Sequence, residues 1–71
     1  MKIQVDLSNV SGNIFAIMGR VQKEMQKYRR RIDPSYEDEN IFKQLDEDIK
    51  NNANNYDEAL RIISNYVDLT I

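Results

Sequence analysis

Near its start the chain reads "KIQVDL", in which Ile3, Val5 and Leu7 alternate with Lys2, Gln4 and Asp6, the period of two expected of a strand with one buried face. A strand is therefore predicted over 2–7. Ser8, Asn9, Ser11, Gly12 and Asn13 follow, all turn formers. Ser11 or Asn13 can accept a hydrogen bond from the free N–H groups that open a helix, so a helix should begin near residue 12 or 13. From there the period changes. Ile14, Ile17, Met18, Val21, Met25, Tyr28 and Ile32 recur in steps of three and four, making one apolar stripe. Pro34 ends it, because proline disfavours a helical conformation at Asp33, and the Asp33–Ser35 run supplies turn chemistry and a candidate cap for the next element.

A second, more polar helix is predicted from Tyr36 to about Asn51. Ile41, Phe42, Leu45 and Ile49 point inward, while Glu37, Asp38, Glu39, Asp46, Glu47 and Asp48 face water. "NNANN", residues 51–55, reads as a loop in which Asn54 or Asn55 caps a third helix. If the cap is Asn55, Glu58 stands where a glutamate reaches back to the cap's own N–H, a capping box. Ala59, Leu60, Ile63, Tyr66 and Val67 form the inward face of that helix, and the alternation of Val67, Leu69 and Ile71 predicts a short strand able to pair with the first. The expected fold class is α+β: a single small β-α-α-α-β domain over residues 1–71, with the helices on one face of a two-stranded sheet.

A chain of 71 residues buries only about 60% of the surface its unfolded form exposes. Neither cysteine nor histidine is present, so disulfides and thiolate or imidazole metal sites cannot reinforce the core. Two strands also leave an open edge on each side. Such an edge calls for a protective loop or for a partner subunit that extends the sheet, and with so small a core a homo-oligomer is the expectation. The lack of cysteine fits a reducing compartment, and no segment resembles a signal peptide or approaches a membrane span of about 20 apolar residues. A soluble, cytoplasmic protein is expected. Ten basic and twelve acidic residues give a net charge of −2, which disfavours duplex nucleic acid as a partner.

Candidate chemistry is sparse. Gly19 interrupts the first helix at a cost of about 1 kcal/mol relative to alanine. It should therefore mark close packing by another element, the approach of a ligand or a partner's backbone, or a neutral replacement without a role. Ser11, Gly12 and Asn13 form a helix start whose N–H groups attract phosphate or carboxylate, or serve only as a cap. With Gly19 and Arg20 they make up the candidate ligand-binding set. Lys23, Lys27, Tyr28, Arg29, Arg30 and Arg31 gather cations near the end of the first helix and form the candidate partner-binding set. The acidic runs at 37–39 and 46–48 are alternative neutralising partners within the chain or a second copy. Those runs are consecutive residues pointing different ways round a helix, without a calcium-binding loop, and no activated nucleophile is evident. No catalytic residue, metal or cofactor is expected, and the chain reads as a non-enzyme. Among the four tyrosines, Tyr36 and Tyr56 lie beside the interhelical turns and are candidates for stacking on a base or a partner.

"GNIFAIMGRV" at 12–21 and "YDEALRIISNYV" at 56–67 resemble a loose family of short, mostly uncharacterised bacteriophage and prophage proteins. The matching positions are Gly12, Asn13, Phe15, Ile17 and Gly19, then Tyr56, Asp57, Ala59 and Leu60, while residues 33–55 match nothing in that pattern. The resemblance implies a phage accessory protein working in the cytoplasm of a bacterial host by binding. One such action is host takeover or counter-defence through inhibition of a host protein. A second is sequestration, by an oligomer with interfacial pockets, of a phosphorylated nucleotide-like immune signal at Ser11, Gly12, Asn13, Gly19 and Arg20. A third is a structural or scaffold role in the phage particle.

Overall fold

A computed structural model describes residues 2–70, in which the chain runs β1 (Ile3–Asp6), α1 (Ile14–Arg31), α2 (Asp38–Asn52), α3 (Tyr56–Tyr66) and β2 (Val67–Thr70). The two strands pair within the chain and in parallel, Ile3 opposite Val67 and Val5 opposite Leu69. A parallel pair needs a crossover connection, which the three helices supply. Val5 and Val67 are fully buried beneath the helices, with Ile3, Leu7 and Leu69 half-buried around them. Gln4, Asp6, Asp68 and Thr70 occupy the opposite, solvent-facing side. Ile71, the last apolar residue of the predicted alternation, lies outside the described residues.

α1 begins where Asn13 accepts hydrogen bonds from the N–H groups of Phe15 (2.8 Å) and Ala16 (3.1 Å). Its stripe buries Ile17, Val21 and Met25 against Leu45 of α2 and Ile63 of α3, completing one core with the two strand valines. The stripe ends earlier than its period predicts. Ile32 is the C-cap rather than a helical residue, and it is 69% exposed.

The turn after α1 consumes residues 33–36. Tyr36 N–H donates to Asp33 O, and the Asp33 carboxylate accepts from Ser35 N–H and hydroxyl. α2 therefore starts at Asp38, two residues later than predicted, and its N-cap is Glu37, which makes no side-chain capping bond. The Asp33–Ser35 run builds the turn and does not cap the helix. At the other end α2 closes at Asn52, one residue past the predicted end near Asn51 and inside the 51–55 stretch whose composition predicts a loop. Asn52 donates to Asp48 one turn back at 2.7 Å, offsetting its poor propensity. At the start of α3, Asn55 is the cap and accepts from Glu58 N–H at 2.9 Å. The reciprocal bond is shifted by one residue, because Glu58 accepts from the N–H of Asn54, not of Asn55.

Candidate functional site

At the start of α1 the N–H groups of Phe15 and Ala16 already have a partner in the Asn13 side chain, and the Asn13 N–H lies 3.4 Å from Ser11 Oγ. Asn13 is committed to its own helix, and Gly12 O accepts the Tyr56 hydroxyl, tying the loop to the beginning of α3. Tyr56 thus has a structural contact while remaining partly exposed. Gly19 lies six residues beyond Asn13, about 9 Å along the helix axis and about 240° around it. Arg20 sits near Asp6, whose carboxyl is held below the usual carboxylate range, chiefly by hydrogen bonds from Ser8 and least by the Arg20 charge. Of the five ligand candidates, Ser11, Gly12 and Asn13 are consecutive, Arg20 returns after two turns to within about 20° of the Asn13 side, and Gly19 is the one turned away. A Cβ added at Gly19 would meet nothing within 4 Å, so close packing by another element does not explain this glycine.

The three consecutive arginines point three ways, because each residue advances about 100° round a helix. Arg29 turns toward α2 and its Nε donates to Asp38 at 2.6 Å. The Asp38 side chain is only 8% exposed, so the 37–39 run does not simply face water as its pattern predicts. Beside this pair Tyr28 and Tyr36 pack edge to face, their ring centroids 5.0 Å apart. Burial, and then the Asp38 charge, push the Tyr36 hydroxyl pKa above its ordinary value. Arg30 faces solvent and Arg31 lines a groove. Lys27 pairs loosely with Glu24 at 3.3 Å. Among the described residues, Lys23, Arg30 and Arg31 make no ion pair.

The second acidic run does not neutralise this end of α1. Asp46 pairs with Lys50 at 2.8 Å, and Asp48 accepts from the Tyr66 hydroxyl at 3.1 Å. Burial first, and that bond second, raise the Tyr66 pKa. Among the described residues no group of acidic side chains is arranged to hold a metal ion, and no helix is long and apolar enough to cross a membrane.

The groove, of about 470 Å³, lies between β1 and the C-terminal half of α1. Ile3 and Gln4 line it from the strand, and Lys27, Tyr28, Arg31 and Ile32 from the helix end. Lys2, also at its rim, donates to Ser64 O at 2.8 Å, placing its ammonium at the C-terminal end of α3 where the helix dipole favours a cation. A smaller cleft on the other side of Ile3 and Tyr28 is lined by Tyr36, Ile41 and Tyr66. Sequence reasoning found the cations and Tyr28 but missed the strand wall and Ile32. The available signal was an isoleucine falling just after three arginines, where a solvated helix end has no need of one.

Comparison of the chain with protein-family profiles, with curated proteins and with solved structures returned no match.

Proposed function

We propose that this chain is a non-enzymatic binding protein whose contact surface is the basic C-terminal half of α1, with Lys27 and Arg31 lining the groove beside Tyr28 and Ile32, and Lys23 and Arg30 exposed on the same half of the helix. The observation that carries this reading is the exposure of Ile32 beside Arg30 and Arg31, which like Lys23 make no ion pair among the described residues, while Lys27 pairs loosely with Glu24 and Arg29 is already used to hold α2. An exposed apolar anchor flanked by Tyr and Arg is the composition of an interaction surface, and unpaired cations favour an acidic partner through charge complementarity. In the phage setting that the helix motifs resemble, the partner is a host protein and the action inhibitory.

The test compares the native chain with a Lys23→Glu/Arg30→Glu/Arg31→Glu variant of unchanged circular dichroism and melting temperature, each used to capture proteins from a bacterial lysate. A protein retained by the first and lost by the second, with direct titration showing a weakening of at least about tenfold, supports the reading. Retention indifferent to the three reversals removes it. Native mass spectrometry of the purified chain supplies the other arm. An oligomer carrying a phosphorylated compound, released by Asn13→Ala, would replace this reading with sequestration at the start of α1.

A further inference from the structure

The groove has a wall of main chain as well as side chains. Leu7 N–H donates to Thr70 O, and Thr70 Oγ1 donates to Val5 O, so the odd-numbered residues of β1 turn their peptide groups toward β2. Successive residues of a strand alternate in this respect, which points the N–H and C=O of Gln4 away from β2. Among the described residues neither group meets a turn, loop or cap partner. Gln4 also lines the groove, so the free edge of β1 opens into it.

Over that edge runs one line of α1. Arg20, Glu24, Lys27 and Arg31 fall at steps of four, three and four, which stacks them along one side of the helix. Glu24, Lys27 and Arg31 line the groove and Arg20 stands near Asp6 at its far end. Three cations against one carboxylate make this ridge net positive. The solvent face of the sheet carries Asp6 and Asp68, and Asp68 also lines the groove from the β2 side, opposite the cations.

We infer that the free edge of β1 accepts an extended segment of a partner as a third strand, with acidic and apolar side chains on the face toward α1 and uncharged ones on the other. Main-chain bonds to Gln4 supply the register, and the side chains decide which segment fits. On the α1 side an apolar residue meets Ile3, Tyr28 and Ile32, and acidic residues two positions either side of it meet the cationic ridge. On the outer side Asp6 and Asp68 disfavour further acid. A second copy of this chain fits poorly, because β1 meeting its own image would bring two net-positive ridges together. The inference rests on the reading that the basic end of α1 is the contact surface.

The probe is the acetylated, amidated heptapeptide Thr-Glu-Thr-Ile-Thr-Glu-Thr, with lysine replacing both glutamates in the control. Amide exchange and chemical shifts are followed by NMR in the full chain, in Lys27→Glu/Arg31→Glu, and in a synthetic chain N-methylated at Gln4, whose fold is checked by circular dichroism. The glutamate peptide should bind saturably at concentrations up to about 1 mM and slow exchange at the Gln4 amide, and both substituted chains should lose at least about tenfold in affinity. The lysine peptide should not bind. Absence of saturable binding overturns the inference. Equal affinity for the native and N-methylated chains, with loss in Lys27→Glu/Arg31→Glu, overturns strand addition and leaves the basic-end reading standing. Binding indifferent to those two reversals counts against that reading as well. A Gln4 amide already protected in a peptide-free dimer shows that a second copy fills the edge, and overturns the choice of partner.

Discussion

Between α1 and α2 the chain turns at Asp33 and Pro34 and is held by Arg29 and Asp38, nine positions apart, whereas between α2 and α3 it turns at Ala53–Asn55 and is held by bonds spanning three and four positions. Glu37, at the first corner, offers its helix no side-chain cap, but Asn55 at the second does. The first corner therefore depends on α1 being formed and in place. The second takes its cap from its own sequence, and Tyr56 also ties it to Gly12, 44 positions away. The first corner joins two helices through a partly buried ion pair, whereas the second is capped within a few residues of its own helix.

The largest disturbance expected is Arg29→Ala. It strands a buried carboxylate, and should lower the unfolding free energy by about 2–3 kcal/mol in a urea titration, a large share of the stability of so small a domain. A loss below about 0.5 kcal/mol would mean that Asp38 finds water and that the two corners do not differ in kind. Asn55→Ala removes a local cap and should cost about 1 kcal/mol, with amide exchange accelerated first at the start of α3. Gly19→Ala touches neither corner and puts a methyl into open space, so it should raise stability by about 0.5–1 kcal/mol and serve as the baseline for both.

The smallest effect separates the corners by pH. The raised pKa of Tyr36 means that the unfolded chain ionises first, so its contribution is fully present below about pH 10 and is lost as pH rises through the folded value. Melting temperature should fall above that pH, and Tyr36→Phe should flatten part of the fall. Tyr66→Phe should flatten another part, since its pKa is raised by burial near Asp48. Asn55→Ala should leave the slope as it is.

The contrast between the corners also explains what was legible in the sequence. Both strands, the inward stripe of α1 and the caps at Asn13 and Asn55 depend on neighbours within a few residues, and periodicity with side-chain chemistry finds them. The burial of Asp38 is set by an arginine on another helix, and the late start of α2 by a turn whose hydrogen bonds use up Tyr36. The parallel sense of the sheet depends on the whole path of three helices. At the candidate site the cations were legible as a cluster, but not that Arg29 would be taken by α2 and Arg31 would border a strand edge. That division follows from the angle between successive helical residues and from which neighbour lies in each direction.

The pairing of β1 with β2 has a consequence for the order in which the molecule assembles. Val5 and Thr70 meet across 65 positions of chain, the longest closure among the bonds described, so the entropy of closing that loop opposes the sheet until the intervening helices have shortened the effective distance. The expected order is helices and their local caps first and the strands last, which unfolding and refolding rates test. Destabilising changes in β2 should then accelerate unfolding while leaving the refolding rate nearly unchanged.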